Sequence, residues 1–299
     1  MATRIGDLAH SRRLTADLTT IQARLRESEA AASSGKAATR FDQIADRAGE
    51  LLRVKDARAV RSTLADQNER LGQRLQLMDV ALGSVVDIAA RARTALVQRL
   101  DGGMGSDVPL DTLIDGMLAE LESALNARQD GQYLFAGSRS DTAPIELPVP
   151  PPTVADPALY YRGDSIRLTT RADLGLDLSY GVTADAAPVA ELIASLGQAR
   201  AAHLADDRAG LTAAMAGLET ALDGLTGLRA GVGTTAERLE TVTEVQRSAI
   251  LYLDEIVASI EDVDLAAVLT RIAADRTTLE AGYSVTGKLA SLSLADYLR

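Results

Sequence analysis

Residues 71–96, LGQRLQLMDVALGSVVDIAARARTAL, place Leu71, Leu75, Met78, Leu82, Val85, Ala89, Ala92 and Leu96 at spacings that alternate four and three throughout. Such a heptad lines its side chains along one stripe of an α-helix and forms a coiled-coil seam. A second run keeps the same alternation through Leu211, Met215, Leu218, Leu222, Leu225, Arg229, Val232, Ala236, Leu239, Thr243, Gln246, Ile250, Leu253, Val257 and Ile260. Its polar members, Arg229, Thr243 and Gln246, are where register or partner choice would be set. At about 1.5 Å per residue this second helix would run roughly 75 Å. Gly224, Gly227, Gly231 and Gly233 weaken its middle, where a kink or break would fall.

Shorter stripes occupy the two ends, with Leu14, Leu18, Ile21 and Leu25 in the first and Leu265, Val268, Ile272 and Leu279 in the last. Ser34-Gly35-Lys36 punctuates the first helix, and the glycine run at 102–105 ends the long helix near Leu100. Pro109 suits the first turn of a helix reaching to about Gln129, and Asp264 is placed to N-cap the last helix.

Between these helical arms the composition changes. Six of the eight prolines fall within residues 144–157, so no long helix passes there. Tyr133, Phe135, Tyr160, Tyr161 and Tyr180 gather in the same region. Leu174, Leu176, Leu178, Tyr180 and Val182 alternate with small or polar residues, which is strand periodicity. Gly163-Asp164 reads as a hairpin turn.

The fold class that follows is mainly α: a long antiparallel coiled-coil-like helical stalk built from both termini, with a small β-rich inserted domain. The segments are 1–40 and 263–299 as terminal assembly helices, 41–130 and 191–262 as the halves of the stalk, and 131–190 as the β-rich insert. Helices that leave the insert must return beside those that entered it, so the two arms pack antiparallel.

The composition agrees. The 299 residues are 46% hydrophobic but only 3% aromatic, with no Trp and no Cys, so burial rests on Ala, Leu, Val and Ile. Absence of cysteine excludes disulfides, thiolate metal sites and Cys nucleophiles. The net charge of −11 and pI near 4.8 argue against general nucleic-acid binding, which needs clustered cations. No window supplies the roughly 18–20 uninterrupted apolar residues of a spanning helix, and residues 1–25 lack a signal-peptide core.

Nothing in the chain argues for catalysis. His10 and His203 are the only histidines, and neither has a second His at metal-ligand spacing. Asp206-Asp207 and the set Glu255, Glu261, Asp262 and Asp264 read as solvated helix faces or caps. The glycine run at 102–105 lacks the Lys-Ser/Thr of a phosphate loop, and no Gly-x-Ser-x-Gly elbow occurs. No enzyme activity, cofactor or metal is expected.

One stretch does carry a family signature. Gly131-Gln132-Tyr133-Leu134-Phe135-Ala136-Gly137-Ser138 follows an amphipathic helix and precedes the β insert. It resembles the Gly-x-Tyr-Leu-Phe-Ala-Gly segment of the hook-filament junction proteins of the flagellin superfamily. The N-terminal region, with Arg4-Ile5 and Ser34-Gly35-Lys36, is similar to theirs, as is the C-terminal region from Gln246 to Leu298. Arg229-Ala230-Gly231-Val232-Gly233 and the Tyr161-x-Gly163-Asp164 element are similar to recurring features of the same proteins.

The resemblance implies a structural protein of the bacterial flagellum, exported through the type III apparatus without a cleavable signal peptide. It implies a ring of subunits that meets hook-associated protein 1 on one side and flagellin on the other, and an export chaperone. Nucleic acid and membrane are not expected partners. Leu14, Leu18, Ile21, Leu25, Leu289, Leu292, Leu294 and Leu298 are the expected assembly positions, and Gly131, Tyr133, Leu134, Phe135, Ala136 and Gly137 the family motif. A filament subunit of the flagellin type, or a cytosolic coiled-coil adaptor or sensor, are the competing readings. If the terminal segments stand apart from the stalk, their narrow stripes offset too little ordering entropy and they fray until neighbouring subunits cover them.

Overall fold

The structure, a computed structural model, describes residues 2–37, 45–101 and 109–297, with the backbone alone at 2–11, 45–46 and 289–297. The protein is mainly α. Six helices occupy the described residues: α1 (Ala2–Ser34), α2 (Ala45–Leu100), α3 (Leu110–Leu125), α4 (Ala187–Leu204), α5 (Arg208–Glu261) and α6 (Leu265–Tyr297). Two short antiparallel ladders, β1 (Arg128–Gln129) with β2 (Gln132–Tyr133) and β3 (Leu168–Asp173) with β4 (Leu176–Tyr180), lie between α3 and α4. The chain divides into two compact units, 1–60 with 250–299 and 61–249.

In the 61–249 unit, all eight members of the first heptad are buried, from Leu71 to Leu96. Opposite them in the same core lie Leu211, Leu218, Leu225, Val232 and Leu239 of α5. The four glycines in the middle of α5 do not interrupt it, because side chains packed along the seam offset their low intrinsic propensity. One of them fits a close approach: a Cβ at Gly224 would lie 2.6 Å from Pro188 at the start of α4.

The polar seam positions have partners. Arg229 makes a two-pronged ion pair with Asp79 of α2, at 2.8 and 3.0 Å. Gly83, one turn further along α2, leaves 3.5 Å between its would-be Cβ and that guanidinium. The hydroxyl of Thr243 donates to the carbonyl of Leu239 in its own helix. Gln246 is fully buried and donates to the carbonyl of Ala172 in β3 at 2.7 Å, while Asn68 of α2 donates to the same oxygen at 2.9 Å. A bulge between Arg171 and Asp173 shifts the ladder register beside that carbonyl. Two helices thus hold the hairpin through one shared acceptor.

Two sequence expectations are corrected, one just before the insert and one within it. The helix after Pro109 ends at Leu125 and does not reach Gln129. Asn126 stops it by turning its side-chain amide onto the backbone of Ile145, donating to the carbonyl and accepting from the N–H. Asp130 and Gly131, at φ 51° and 81°, then close the β1–β2 hairpin with the left-handed pair that a two-residue turn requires. Gly163-Asp164 is not a hairpin turn. The β3–β4 turn is at Leu174-Gly175, with Gly175 at φ 91°, whereas the N–H of Asp164 bonds to the carbonyl of Ala136.

In the terminal unit, α1 ends at Ser34 with Gly35 at φ 70°. The side chain of Asp264 accepts the N–H groups of Ala266 and Ala267 and caps α6. The glycine run at 102–105 lies outside the described residues. No helix among those described is long and apolar enough to cross a membrane.

Candidate assembly site

The two terminal helices pack against each other. Leu18 of α1 sits over Gly282 of α6, Arg24 bonds Asp275, and the N–H of Val263 bonds the carbonyl of Gly35. Positions rising along α1 meet positions falling along α6, so the pair is antiparallel. Leu18, Val268, Ile272 and Leu279 are buried; Leu14, Ile21 and Leu25 are half-buried. Each stripe has the other for cover, and neither terminal segment is a lone helix. Leu289, Leu292 and Leu294 fall where α6 is described by its backbone alone, and Leu298 lies outside the described residues.

The open ends of this pair are clasped by backbone and charge. The N–H of Ala37 bonds the carbonyl of Glu261, and Lys36 pairs with Asp262 at 2.7 Å. Lys36 and Lys55, two of only three lysines in the chain, both bond Glu261. The Lys55 ammonium, and then Lys36, hold the Glu261 carboxyl below its ordinary range against the opposing effect of burial. On the outer faces, Leu251, Tyr252, Leu265, Leu269, Tyr283 and Val285 remain exposed.

The Gly131–Ser138 stretch forms a second feature. Tyr133, Leu134, Phe135 and Ala136 are buried, and the guanidinium of Arg128 stacks 4.1 Å above the ring of Tyr133. Arg74 of α2 donates to the Tyr133 carbonyl at 3.0 Å, which ties the motif to the helix seam. The Phe135 carbonyl accepts the N–H of Ala184, and the oxygen of the Tyr161 hydroxyl stands 3.3 Å from it. Gly137 has φ 70°, which only glycine adopts without strain.

Directly against this motif lies the Tyr161–Asp164 element, 26 residues away in sequence. The carboxylate of Asp164 accepts the N–H of Ser138 at 2.8 Å, the Ser138 hydroxyl, and the N–H of Ile166 at 3.1 Å. These bonds, the Ser138 hydroxyl first, hold its carboxyl below the ordinary range. A Cβ on Gly163 would stand 2.5 Å from the Ala136 carbonyl. Burial raises the tyrosine hydroxyls of both Tyr160 and Tyr161, keeping them protonated as donors to the carbonyls of Ala184 and Asp164. The two sequence elements are one interlocked knot, a pairing that their spacing along the chain did not reveal.

His203 accepts the Arg99 Nε–H at 3.1 Å through Nδ1 and stands 3.9 Å from Asp111; His10 falls where only the backbone is described. Asp207 caps α5 by accepting the N–H of Ala209. Among the described residues no group of three or more His, Asp or Glu is gathered for a metal.

Residues 215–298 match the family model of the bacterial flagellin C-terminal helical region. Flagellar hook-associated protein 3 of Salmonella typhimurium is 22% identical over 282 residues, covering 88% of this chain and 89% of its own length. The chain resembles the flagellar hook-associated proteins. Flagellar hook-associated protein 3 of Escherichia coli K12 is 25% identical over 242 residues, 74% of this chain and 76% of its own. The fold of a flagellar hook-associated protein from Vibrio parahaemolyticus superposes with a TM-score of 0.64 at 15% identity, over 74% of this chain and all of that one. A hook-associated protein of this kind is a component of the bacterial flagellum, and its work is structural.

Proposed function

We propose that this chain is a structural subunit at the hook–filament junction of the bacterial flagellum, connecting the hook side to flagellin. The observation that carries the reading is likeness to hook-associated protein 3 along nearly nine-tenths of the chain. The subunit joins copies of itself in a ring and meets hook-associated protein 1 and flagellin through its terminal helices. It reaches the cell exterior through the type III apparatus, with the N-terminal region as an uncleaved signal and a chaperone on the C-terminal helix. It performs no catalysis and needs no cofactor.

Within this reading Leu14, Ile21, Leu25, Leu289, Leu292, Leu294 and Leu298 are assembly positions, and Leu18 serves by holding α1 on α6. An apolar stripe that is only half-covered inside one chain gains further burial against a neighbour, at roughly 25 cal/mol per Å².

Deleting the gene tests the junction role directly. The expected cell carries hooks without filaments and releases monomeric flagellin into the medium. Filaments that still attach would refute the junction role, and loss of flagellin itself from the medium would identify a filament subunit instead. A chain lacking residues 265–299 is expected to keep the 61–249 unit folded and to fail in filament attachment.

A further inference from the structure

The terminal pair has a charge where its seam should be apolar. Along α6 the inward positions are Val268, Ile272, Asp275, Leu279 and Gly282, which keep the spacing of four and three without a break. Four of these five are apolar or glycine; the fifth is an aspartate, 3% exposed. Along α1 the matching series is Leu14, Leu18, Ile21, Leu25 and Ser28, and Ser28 is buried as well. Arg24 stands beside that stripe and reaches in to Asp275, with Nε donating to Oδ2 at 2.9 Å and Nη2 to Oδ1. A further ion pair between these helices, Glu29 with Arg276 at 2.7 Å, joins exposed side chains. Pairs of that kind contribute little.

A buried carboxylate restricts pairing in a way that leucine does not. An apolar seam accepts a partner at several offsets, because one leucine is as good a neighbour as another. A carboxylate in the seam is best tolerated where a cation of the facing helix reaches it, and every other offset takes Asp275 from Arg24 and leaves it only the weaker influence of Arg271 on its own helix. A polar residue at a single seam position is the best-attested way by which helices specify register, at some cost in stability. Leu18 over Gly282 is compatible with the same offset, since a Cβ there would meet Leu18 Cδ2 at 2.4 Å.

We propose that Arg24 and Asp275 are the specificity determinant of the terminal helix pair, selecting one antiparallel register of α1 on α6. The inference rests on the geometry of the terminal unit alone and stands apart from the junction role. The backbone clasp at Gly35 and Val263 is the rival explanation, because it too would align the two helices.

Spin-label distances on the full chain separate these explanations. The protein has no cysteine, so labels on Arg13→Cys and Thr270→Cys, both at exposed positions, report on these helices alone. The parent chain is expected to give one narrow distance. Asp275→Leu is expected to keep its helicity and to add a second population displaced by about 10 Å, one heptad of slip. The exchanged pair Arg24→Asp with Asp275→Arg is expected to restore a single distance. A single distance retained in Asp275→Leu would overturn the proposal in favour of the clasp. Loss of helicity in Asp275→Leu would overturn it too, because the carboxylate would then be needed for pairing itself and not for the choice of register. Failure of the exchanged pair to restore one population would remove Arg24 from the assignment.

Discussion

A Cβ on Gly137 would stand 2.2 Å from the carbonyl oxygen of Asp164. The obstacle is backbone, which cannot rotate aside, and Gly137 also has φ 70°. Gly137→Ala therefore meets a clash and a strained conformation together, and is expected to destabilise the 61–249 unit by about 2–4 kcal/mol. Urea unfolding of the variant beside the parent measures it. Gly131→Ala, with φ 81° but nothing within 4 Å, is expected to cost less than Gly137→Ala.

The shared acceptor at Ala172 sets an order between two variants. Gln246→Leu removes a 2.7 Å bond to that carbonyl from a fully buried side chain, and is expected to cost about 1–2 kcal/mol. Asn68→Leu removes a 2.9 Å bond but also removes Asn68 Oδ1, a buried acceptor with no partner, so its cost is expected to be smaller. Amide exchange in β3 and β4 is expected to quicken in both, more so in Gln246→Leu.

The seam between α2 and α5 is where truncation should be felt most. Leu82 is completely buried in the continuous core. Leu82→Ala is expected to lower stability by about 2–5 kcal/mol, read as a fall in the denaturant midpoint. Leu77→Ala, on the same helix but 42% exposed, serves as the control and is expected to change little.

Acid should weaken the terminal unit. The carboxyls of Asp275 and Glu261 are held below their ordinary range by Arg24 and by Lys55 respectively. A carboxylate with a depressed value in the folded chain contributes its full stability above the ordinary carboxylate range, and loses it as pH falls through its folded value. Melting followed across a pH series is therefore expected to show Asp275→Asn differing from the parent at neutral pH, with the difference vanishing in acid. Added salt is expected to reduce the neutral-pH difference, because Arg24 is half-exposed.

Native-state hydrogen exchange should divide the chain as its cores do. Among the described residues, the buried apolar side chains of the terminal unit are few: Leu18, Leu51, Ile260, Val268, Ile272 and Leu279. The 61–249 unit has a continuous core from Leu71 to Leu239. Amides of α1 and α6 are expected to exchange by smaller openings than those of α2 between 71 and 96. Equal protection in the two would refute this ranking.

Helix placement was legible in the chain because it depends on periodicity. The alternation from Leu71 to Leu96 marks a face, and a face of that width must be covered whatever covers it; every one of its eight residues is buried. Asp264 and Gly35 mark helix ends for equally local reasons, one by accepting orphan N–H groups and the other by adopting a positive φ. The Gly131–Gly137 run was legible as a family feature, but its residue choices were not explained by anything near it in sequence.

Tertiary structure alone decided the rest. Asp130-Gly131 is a strong local hairpin signal, yet helical periodicity runs toward it from Pro109, and what ends the helix is the bond of Asn126 to the distant Ile145. Gly163-Asp164 has turn composition but closes against Ala136 and Ser138, a contact that requires the chain between them to fold back. Gln246 marked itself as a polar break in a heptad, while its partner, one carbonyl in a bulged strand 74 residues earlier, could not be read from spacing. Asp275 stands between Ile272 and Leu279 with no local mark of its partner, which is Arg24 of the other terminus. Short-range patterning determines which backbone each segment adopts, because helix and turn energies are local. Which polar group meets which depends on chain closure over long separations, where a buried donor or acceptor is tolerated only once its partner has arrived.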